Sequence, residues 1–357
     1  MAIYSLEVQR FRNLLDIKLQ PQPGFNFLIG DNGSGKTSLL EAIHCLGRGK
    51  SFRTYKTNQL ISLGESDFTI VGKLQQQHKS YTIGMQRFAG ESHIRMAGHK
   101  VQRASELTEV LPIAVLEPGL HRLIEEGPEY RRKFLDWGVF HVEPDFAPVW
   151  QTYRRALAQR NAALRASWTQ RAIAHWDQEL ISAGEALDNY RRHYLSQLTL
   201  AIQDFGASFP ELAHCEFHYY RGWRDGESLG HYLTQQFTSD AERGFTQFGP
   251  HRADLRIRTR QRDARDVLSR GQQKMLVAFL VLAQCQQITA RQTAAVVLVD
   301  DLPAELDSQK RVLLMQALQC SGAQVFLTAT EQGLFPHTDY PQSQVFHVEQ
   351  GRISALG

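Results

Sequence analysis

The sequence is poor in the features that mark secreted, zinc-binding and membrane proteins. It has four cysteines in 357 residues, far apart and without a Cys-x-x-Cys pair. This spacing argues against a disulfide framework and a zinc site, and it suits a reducing cytoplasm. Apolar runs are short, as at Ala294 to Val299, whereas a membrane-spanning helix needs about 20 apolar residues. The sequence therefore predicts a cytoplasmic protein without a membrane span.

Charge and hydrophobicity are ordinary for a globular chain. Apolar residues make up 42%, charged residues 22%, and the net charge is +3. This balance excludes a disordered chain, and it permits nucleic-acid binding without requiring it. A chain of this length can build one large α/β core with a smaller appendage. The opening residues, MAIYSLEVQRFRN, lack the apolar stretch of a secretory signal and are expected to form a strand.

Hydrophobic periodicity predicts a helical insert after a first group of strands. Residues 67 to 101 have the pattern of an antiparallel meander. Between Ile173 and Tyr194, apolar residues recur at alternating spacings of three and four, which predicts a helix. Asp145 to Ala166 is the expected antiparallel partner of that helix. Helices of about 20 to 35 residues reach only about 30 to 50 Å, which makes this a short arm.

Strand signals return after Cys215, so the core is expected to be split by the insert. The predicted parts are an N-terminal part at 1–136, a helical insert at 137–240 and a C-terminal part at 241–357.

One motif predicts a nucleotide site. Residues 30–37 match the pattern GxxxxGK[ST], with an apolar strand before them and a helix expected from Lys36 to Leu46. Glycines let successive backbone N–H groups converge on phosphates at the helix N-terminus. Lys36 is expected to reach the β- and γ-phosphates, and the Thr37 hydroxyl to ligate Mg²⁺. The predicted ATP contacts are Gly30, Asp31, Asn32, Gly33, Ser34, Gly35, Lys36, Thr37 and Ser38, with Arg12 from the N-terminal segment.

A second motif is expected to bring carboxylates to this site. Ala295 to Val299 has the composition of a buried parallel strand, and it ends in Asp300 and Asp301. Ligands bind at the carboxyl ends of such strands. Asp300 is expected to hold Mg²⁺ through water and Asp301 to polarise the attacking water, so that Lys36, Asp300 and Asp301 are the predicted catalytic residues. About 260 residues separate Lys36 from Asp300, which indicates a large insertion between the two motifs.

Residues 268–274, LSRGQQK, resemble the LSGGQ signature of ABC-type ATPases. In that superfamily the signature caps the γ-phosphate bound by a second subunit. The resemblance therefore implies a head-to-tail homodimer with two ATPs between the chains. The implied contacts in trans are Ser269, Arg270, Gly271 and Gln272. The alternative is an ordinary serine N-cap of a helix.

Two further segments follow the ABC order. Ala304 to Asp307 resembles the D-loop, which gives Glu305 and Asp307 as site residues. The segment from Val325 to Thr330 lies where ABC transporters carry a switch histidine, and it contains none. Which of Thr328, Ala329 or Thr330 takes that position is open. The missing histidine, together with Asp301 where transporters use glutamate, predicts slow ATP hydrolysis.

Five stretches together resemble the bacterial RecF family, and they span almost the entire chain. They are FRN (11–13), GDNGSGKTSLLEAI (30–43), GPEYRRKFLD (127–136), GPHRADL (249–255), and LSRGQQK with VDDLPAELD. The resemblance implies a split ABC-type P-loop ATPase head of the α/β class, with an antiparallel side-sheet and a helical insert. It also implies an ATP-dependent protein that binds duplex DNA and single-strand/double-strand junctions, with RecR and RecO as partners that help to load RecA on gaps and induce the SOS response.

Basic clusters are the independent sign of DNA binding. They comprise Arg48, Lys50, Arg53 and Lys56, then Arg131 and Arg132 beside Lys133, and the arginines from Arg252 to Arg262. Such clusters neutralise phosphates rather than read bases, so little sequence specificity and a strong dependence on salt are expected. For any one cluster, a solvated surface patch is an equally good explanation.

Other functions remain as alternatives. An ABC transporter ATPase subunit is opposed by the insert and the missing histidine. A small-molecule P-loop kinase is opposed by the LSRGQ segment. A structural SMC-like DNA clamp differs from the first interpretation only in its partners, and only an interaction assay separates the two.

Overall fold

A computed structural model describes residues 2–76, 79–88, 90–206, 214–291, 295–301, 305–330, 340 and 342–356. The strands in these ranges are β1 (Ala2–Phe11), β2 (Leu14–Leu19), β3 (Phe25–Ile29), β4 (Phe68–Gln76), β5 (Lys79–Phe88), β6 (Glu91–Met96), β7 (His99–Lys100), β8 (Ile113–Leu116), β9 (Cys215–Tyr220), β10 (Asp254–Thr259), β11 (Arg262–Asp263), β12 (Val296–Val299), β13 (Gln324–Ala329), β14 (Ser343–Glu349) and β15 (Arg352–Leu356). The helices are α1 (Lys36–Arg48), α2 (Ala104–Val110), α3 (Arg122–Glu125), α4 (Pro128–Val142), α5 (Phe146–Arg165), α6 (Gln170–Gly206), α7 (Leu229–Gln235), α8 (Phe237–Arg243), α9 (Ala264–Val267), α10 (Arg270–Ala290) and α11 (Ser308–Cys320). None of these described helices is long and apolar enough to cross a membrane.

The chain forms two compact units. Unit 1 comprises Met1–Leu120 and Ala278–Gly357, and unit 2 comprises His121–Val277. The polypeptide therefore leaves unit 1 once and returns to it once. These bounds differ from the predicted insert at 137–240, because elements on both sides of that range pack with the helical arm. Helix α4 contacts both α6 and β10.

Within its described residues, unit 1 contains two six-stranded sheets. The first has the order β15-β14-β3-β13-β12-β8, in which the strands from β14 to β8 run parallel and β15 is antiparallel to β14. The second, β2-β1-β4-β5-β6-β7, is antiparallel. It contains the predicted first strand and meander. The α/β class with an antiparallel side-sheet is confirmed.

Helix α1 packs against strands of both sheets. Leu39, Ile43 and Leu46 have no exposed surface, and Leu40 and Cys45 on other faces are equally buried. A helix that is apolar on several faces belongs in a core rather than on a surface. Residues of both sheets join α1 in one hydrophobic cluster. The helix that begins at the phosphate motif is therefore fixed along most of its length.

The arm in unit 2 is an antiparallel pair formed by α5 and α6. Leu164 packs with Ile173 beside the connecting turn, and Arg155 pairs with Glu179 further along the two helices. Helix α5 matches the predicted partner within one residue at each end, and α6 has 37 residues, slightly more than predicted. The buried members of the predicted stripe are Ile173, Leu180, Ala183, Leu187 and Tyr194.

A buried arginine ties the arm to the rest of unit 2. The side chain of Arg160 is fully buried and donates hydrogen bonds to Asp177 (2.6 Å), Asp240 (2.7 Å) and Thr246 (2.7 Å). Asp240 is fully buried as well. A buried ion pair contributes little net stability, but removal of one partner leaves a buried charge uncompensated.

We expect Asp240→Ala to lower the free energy of unfolding of unit 2 by about 3 kcal/mol, because it leaves Arg160 short of its buried counter-charge. Urea unfolding followed by tryptophan fluorescence measures this unit, since all five tryptophans lie between Trp137 and Trp223. Arg155→Ala is the control. It breaks a pair in which the arginine is 62% exposed, and its effect should stay below about 1 kcal/mol. Equal losses for the two variants would contradict the structural role of the buried pair.

Candidate functional site

The phosphate motif is a tight loop between β3 and α1. Its backbone has positive φ at Gly33 (81°) and Gly35 (123°), where a side chain would be strained. Gly30 is required for another reason, since a Cβ atom there would collide with a carbonyl oxygen of β14. The Nζ of Lys36 donates hydrogen bonds to the carbonyl oxygens of Gly30 (2.7 Å) and Asp31 (2.9 Å). The lysine side chain therefore lies over the loop that it is predicted to serve.

Two residues outside the loop hold it in place. Asn13 donates from Nδ2 to the carbonyl of Gly33 (3.0 Å) and accepts at Oδ1 from the hydroxyl of Ser38 (2.7 Å). The backbone N–H of Gly351 donates to the carbonyl of Ser34 (2.9 Å). Neither Asn13 nor Gly351 was among the predicted site residues. The sequence could have indicated Asn13, because it belongs to the FRN segment, but no motif marks Gly351.

Parallel pairing brings the acidic end of β12 to the loop. In the sheet, β13 separates β12 from β3, and all three strands end on the same edge. Thr37 Oγ1 donates a hydrogen bond of 2.8 Å to Asp300 Oδ1, although 263 positions separate the two residues. The two predicted magnesium ligands are thus in direct contact.

Thr328, near the end of β13, contacts both carboxylates. Its Oγ1 accepts a hydrogen bond from the backbone N–H of Asp301 (2.8 Å) and lies 3.1 Å from Asp301 Oδ1 and 3.3 Å from Asp300 Oδ1. Asp301 has a φ of 47°, which is uncommon outside glycine, and the bond to Thr328 stabilises it. Of the three residues open for the switch position, Thr328 is the one that touches the acidic pair.

The electrostatic setting of Asp300 is unfavourable to its own negative charge. Burial raises the pKa of Asp300, and the carboxylate of Asp301 raises it further. Hydrogen bonds from Thr37 and Thr328 and the positive charge of Arg53 act in the opposite direction. A bound cation would relieve this strain on the charged form.

The oxygen atoms present fit magnesium and a nucleotide. A hydroxyl and a carboxylate 2.8 Å apart, on Thr37 and Asp300, are ligands of the type that Mg²⁺ prefers. Ser34 Oγ is buried in the loop without a hydrogen-bond partner among the described residues. Those residues contain no group of three or more His, Cys, Asp or Glu side chains able to hold a metal. The remaining magnesium ligands would then come from phosphate and water, as is usual for this ion.

The chain is similar to known proteins along its whole length. The family described as RecF/RecN/SMC N terminal domain matches residues 2–354. The DNA replication and repair protein RecF of Shewanella baltica (strain OS223) is 40% identical, over 100% of both chains. The protein of that name from Pseudomonas aeruginosa (strain LESB58) is 43% identical, over 99% of this chain and 98% of its own. The chain belongs to the RecF family.

Solved structures agree with the RecF assignment. Two of them, described as the recombination mediator protein RecF-ATPrS and RecF-ATP in the RecFOR pathway, have a TM-score of 0.84. They are 26% and 27% identical and cover 100% of this chain and 98% and 99% of their own. A Smc head domain from Pyrococcus furiosus has a TM-score of 0.61 at 15% identity, covering 99% of this chain and 96% of its own, which indicates a shared fold alone.

Two RecF-family segments bind each other within unit 2. Arg131 forms an ion pair of 2.7 Å with Asp254 and also donates to backbone carbonyls. Arg132 donates to the carbonyl of Ala253 (2.7 Å), and burial lowers its pKa. The segments GPEYRRKFLD and GPHRADL are therefore joined by an ion pair and a hydrogen bond. That Arg131 and Arg132 bind DNA stays a prediction, and each would have to leave an internal partner to neutralise a phosphate.

The same two segments are joined again by a residue of the arm. Arg191 of α6 forms an ion pair of 2.8 Å with Asp136 and donates to the carbonyl of Pro250 (2.8 Å). Tyr153 of α5 and His251 share a hydrogen bond of 2.7 Å. Burial lowers the pKa of His251 to about 4, which keeps this ring neutral near pH 7. These contacts give the RecF-family segments a scaffolding role.

Arg12 is also engaged inside the protein. Its Nε and Nη2 donate to the two carboxylate oxygens of Glu41 (2.8 Å each), and its Nη1 donates to the carbonyl of Gln59 (2.8 Å). The Glu41 side chain has no exposed surface, so Arg12 neutralises a buried acid of α1. The predicted contact of Arg12 with ATP stays a prediction.

The first basic cluster divides into one sheltered and three exposed cations. Burial lowers the pKa of Arg48 to about 10, and its Nη2 lies 3.5 Å from the carbonyl of Ile113. Lys50, Arg53 and Lys56 are exposed. The latter three are therefore the better candidates for phosphate contacts.

The signature segment forms the N-terminus of α10 in unit 2. Ser269 Oγ accepts from the backbone N–H of Gln272 (3.3 Å), and the Gln272 side chain accepts from the backbone N–H of Ser269 (2.9 Å). This is a reciprocal helix cap. Ser269 and Arg270 are exposed, and Gly271 is partly exposed. The serine cap that was the alternative interpretation is therefore present, and the contacts in trans stay a prediction.

The D-loop lies partly outside the described residues, which exclude Ala304. Asp307 caps α11, since its carboxylate accepts from the backbone N–H of Lys310 (2.9 Å) and from the Lys310 Nζ (2.6 Å). These bonds lower the pKa of Asp307. Glu305 is exposed. A catalytic or trans role for Glu305 or Asp307 stays a prediction.

We expect Asp300→Asn to raise the melting temperature of the nucleotide-free protein at pH 7.5. The raised pKa means that the folded state binds this proton more tightly than the unfolded state. Stability is therefore lost as pH rises from the ordinary aspartate value, about 4, through the raised one. The gain should shrink as pH falls toward the ordinary value. Glu109→Gln, at an exposed site of unit 1, is the control and should change little. A lower melting temperature for Asp300→Asn at pH 7.5 would refute the electrostatic account.

Proposed function

We propose that the chain is an ATP-dependent DNA-binding protein of recombinational gap repair and replication restart, and a weak, DNA-dependent ATPase. The observation that carries the proposal is the hydrogen bond between Thr37 and Asp300, which joins the phosphate loop to the acidic strand end. It occurs in a chain whose relatives are named DNA replication and repair protein RecF. Two similar structures are described as RecF-ATP and RecF-ATPrS, which supports ATP as the ligand.

The loop residues account for ATP binding. Backbone N–H groups of residues 30–35 and the N-terminus of α1 would bind the phosphates, and Lys36 would add its charge at the β- and γ-phosphates. Thr37 and Asp300 would hold Mg²⁺, which neutralises phosphate charge when bound. Asp301 would orient the water that attacks the γ-phosphate, and Thr328 would keep Asp301 in place.

Slow hydrolysis is part of the proposal. The residue in contact with Asp300 and Asp301 is Thr328. A threonine hydroxyl can orient these groups, but it does not take up a proton near neutral pH as an imidazole does. A slow ATPase suits a timer that keeps DNA bound for a period, rather than a motor.

The bound state is proposed to be a homodimer that closes on ATP. Ser269, Arg270, Gly271 and Gln272 of one chain would cap the γ-phosphate held by the other. The exposure of Ser269 and the positive end of α10 suit such a contact. Hydrolysis would remove the bridging charge, and the population would shift back to separate chains.

DNA is proposed to bind through phosphates at Lys50, Arg53 and Lys56, with Arg48 behind them. Contacts of this type give little sequence preference and a steep dependence on salt. Duplexes and single-strand/double-strand junctions are the proposed substrates. RecR and RecO are the proposed partners, with RecA loading and SOS induction as the outcome, because similar structures are described as parts of the RecFOR pathway.

An SMC-like structural clamp is the second candidate. The similarity to a Smc head favours it at the level of fold. The arm of 20 and 37 residues is short for a coiled coil that embraces DNA at a distance. Affinity for purified RecR and RecO would favour the repair function over the clamp.

We expect Lys36→Ala to weaken ATP binding by about 3 kcal/mol, or about 100-fold, because a charged contact to the phosphates is lost. Isothermal titration calorimetry measures this affinity.

Ser269→Arg should leave the affinity of the single chain for ATP unchanged but prevent ATP-induced dimerisation, measured by light scattering.

Ser182→Arg is the matched control for the second variant, since Ser182 is exposed on α6 of the same unit. It should dimerise normally. A Ser269→Arg protein that dimerises with ATP as the wild type does would show that the signature is not a cap in trans.

We expect the double charge reversal Lys50→Glu with Arg53→Glu to weaken duplex binding and to lower the slope of log affinity against log salt by about 2, because two phosphate contacts are lost. Fluorescence anisotropy over a salt series measures both quantities. Lys73→Glu with Lys100→Glu reverses the same number of exposed charges in unit 1 and should change the slope little. An unaltered slope in the Lys50 and Arg53 variant would exclude this cluster from the DNA interface.

A further inference from the structure

Tyr55 is the most exposed aromatic side chain in the described part of the chain. Its relative exposure is 96%, compared with 57% for Phe88 and 47% for Trp168. A tyrosine ring in open solvent adds no buried apolar surface and so does not stabilise the fold. One exposed ring is not by itself a site. The surroundings of Tyr55 decide what it is for.

The turn before Tyr55 is anchored to the helix that begins at the phosphate loop. Ser51 Oγ accepts hydrogen bonds from the backbone N–H groups of Arg53 (2.9 Å) and Thr54 (3.0 Å), and it donates to the buried carboxylate of Glu41. The chain therefore leaves α1 in a defined direction.

The turn after Tyr55 is anchored as well. Thr54 Oγ1 accepts from the backbone N–H of Lys56 (3.1 Å) and donates to the side chain of Gln59 (2.7 Å). The carbonyl of Gln59 in turn accepts from Arg12 (2.8 Å). Tyr55 is thus presented on a segment that is already ordered, which reduces the entropy lost when a ligand binds.

Cations flank Tyr55 in the sequence, with Arg53 two positions before it and Lys56 directly after it. Lys50, Arg53 and Lys56 are exposed, and the sequence from 50 to 64 contains no aspartate or glutamate. Two acids lie within reach of this segment: Glu41 is buried and paired with Arg12, and Asp300 interacts with the charge of Arg53. An aromatic face between cations matches a nucleotide strand, in which bases stack on the ring and phosphates meet the charges. A protein partner is the alternative, because tyrosine and arginine are also common at protein interfaces, and the test below separates the two.

We propose that Tyr55 stacks on a nucleobase that lacks a stacking neighbour, while Arg53 and Lys56 bind the adjacent phosphates. In a continuous duplex both faces of every base pair are covered. A free base face exists only where a strand is unpaired or a duplex ends. Tyr55 would therefore make the protein favour junctions over continuous duplex DNA. This inference rests on the proposed function, because it requires the segment to bind DNA.

The test compares two DNA substrates in the presence of a non-hydrolysable ATP analogue. One is a duplex with a single-stranded tail that carries 2-aminopurine at the first unpaired position. The other is a covalently closed circular duplex used as a competitor. We expect Tyr55→Ala to weaken binding to the tailed duplex about tenfold. Its affinity for the closed circular duplex, measured by competition, should stay unchanged. The 2-aminopurine fluorescence should be quenched by the wild type but not by Tyr55→Ala.

Two variants serve as controls. Tyr55→Phe keeps the ring and should retain both the affinity for the tailed duplex and the quenching. Leu63→Ala removes a fully exposed apolar side chain from the same segment. It should change neither the affinity for the tailed duplex nor the quenching.

The other outcomes overturn the inference. Equal losses for both DNAs would mean that Tyr55 is a general contact, and loss in Tyr55→Phe would assign the effect to the hydroxyl. If Tyr55→Ala bound both DNAs normally but lost affinity for purified RecR, the residue would belong to a protein interface. If charge reversal at Lys50 and Arg53 weakened DNA binding while Tyr55→Ala did not, the stacking role of Tyr55 would be refuted and the proposed DNA binding would stand. A wild type without DNA affinity would end the proposed function too.

Discussion

Unit 1 is arranged around the carboxylate of Asp300, whose charged form is disfavoured by burial. Asp300 lies beside Asp301 at the end of a parallel strand, and burial raises its pKa. The hydroxyls of Thr37 and Thr328 are its hydrogen-bond partners. A carboxylate in this situation disfavours the free protein and favours any state in which a cation arrives. At the proposed nucleotide site, the burial of this carboxylate lowers the stability of the free protein and favours the binding of a cation.

In unit 2, by contrast, the buried charges are compensated by partners within the protein. Its buried and half-buried arginines already have acidic or carbonyl partners, as Arg131 has in Asp254 and Arg191 has in Asp136. Arg160 is surrounded by acceptors in the same manner. These pairs fix which segments lie together, and they leave little positive charge to offer a ligand. The RecF-family segments GPEYRRKFLD and GPHRADL are thus kept together by their own charged residues.

Much of the fold followed from the sequence because the signals are local. The phosphate loop, the acidic end of β12 and the helical arm all appear as short patterns with a known physical basis. What the sequence did not indicate depends on the sheet order or on partners. Nothing local marks Thr328 as the neighbour of Asp301, since the contact exists only because β12 and β13 are adjacent. Nor does the basic triplet at Arg131 reveal that Asp254 lies opposite, and the bounds of unit 2 depend on that same packing.

The position of β3 in its sheet has a consequence for biosynthesis. Its two neighbours are β13 and β14, and the loop that follows it is fastened by Gly351. Strand β3 is made early, yet its partners emerge from the ribosome about 300 residues later, at about 5–20 residues per second. The early strand therefore has to wait, unpaired, through most of translation. The antiparallel sheet, whose strands all lie before residue 101, can form meanwhile and shelter the apolar face of α1 until the rest of the core arrives.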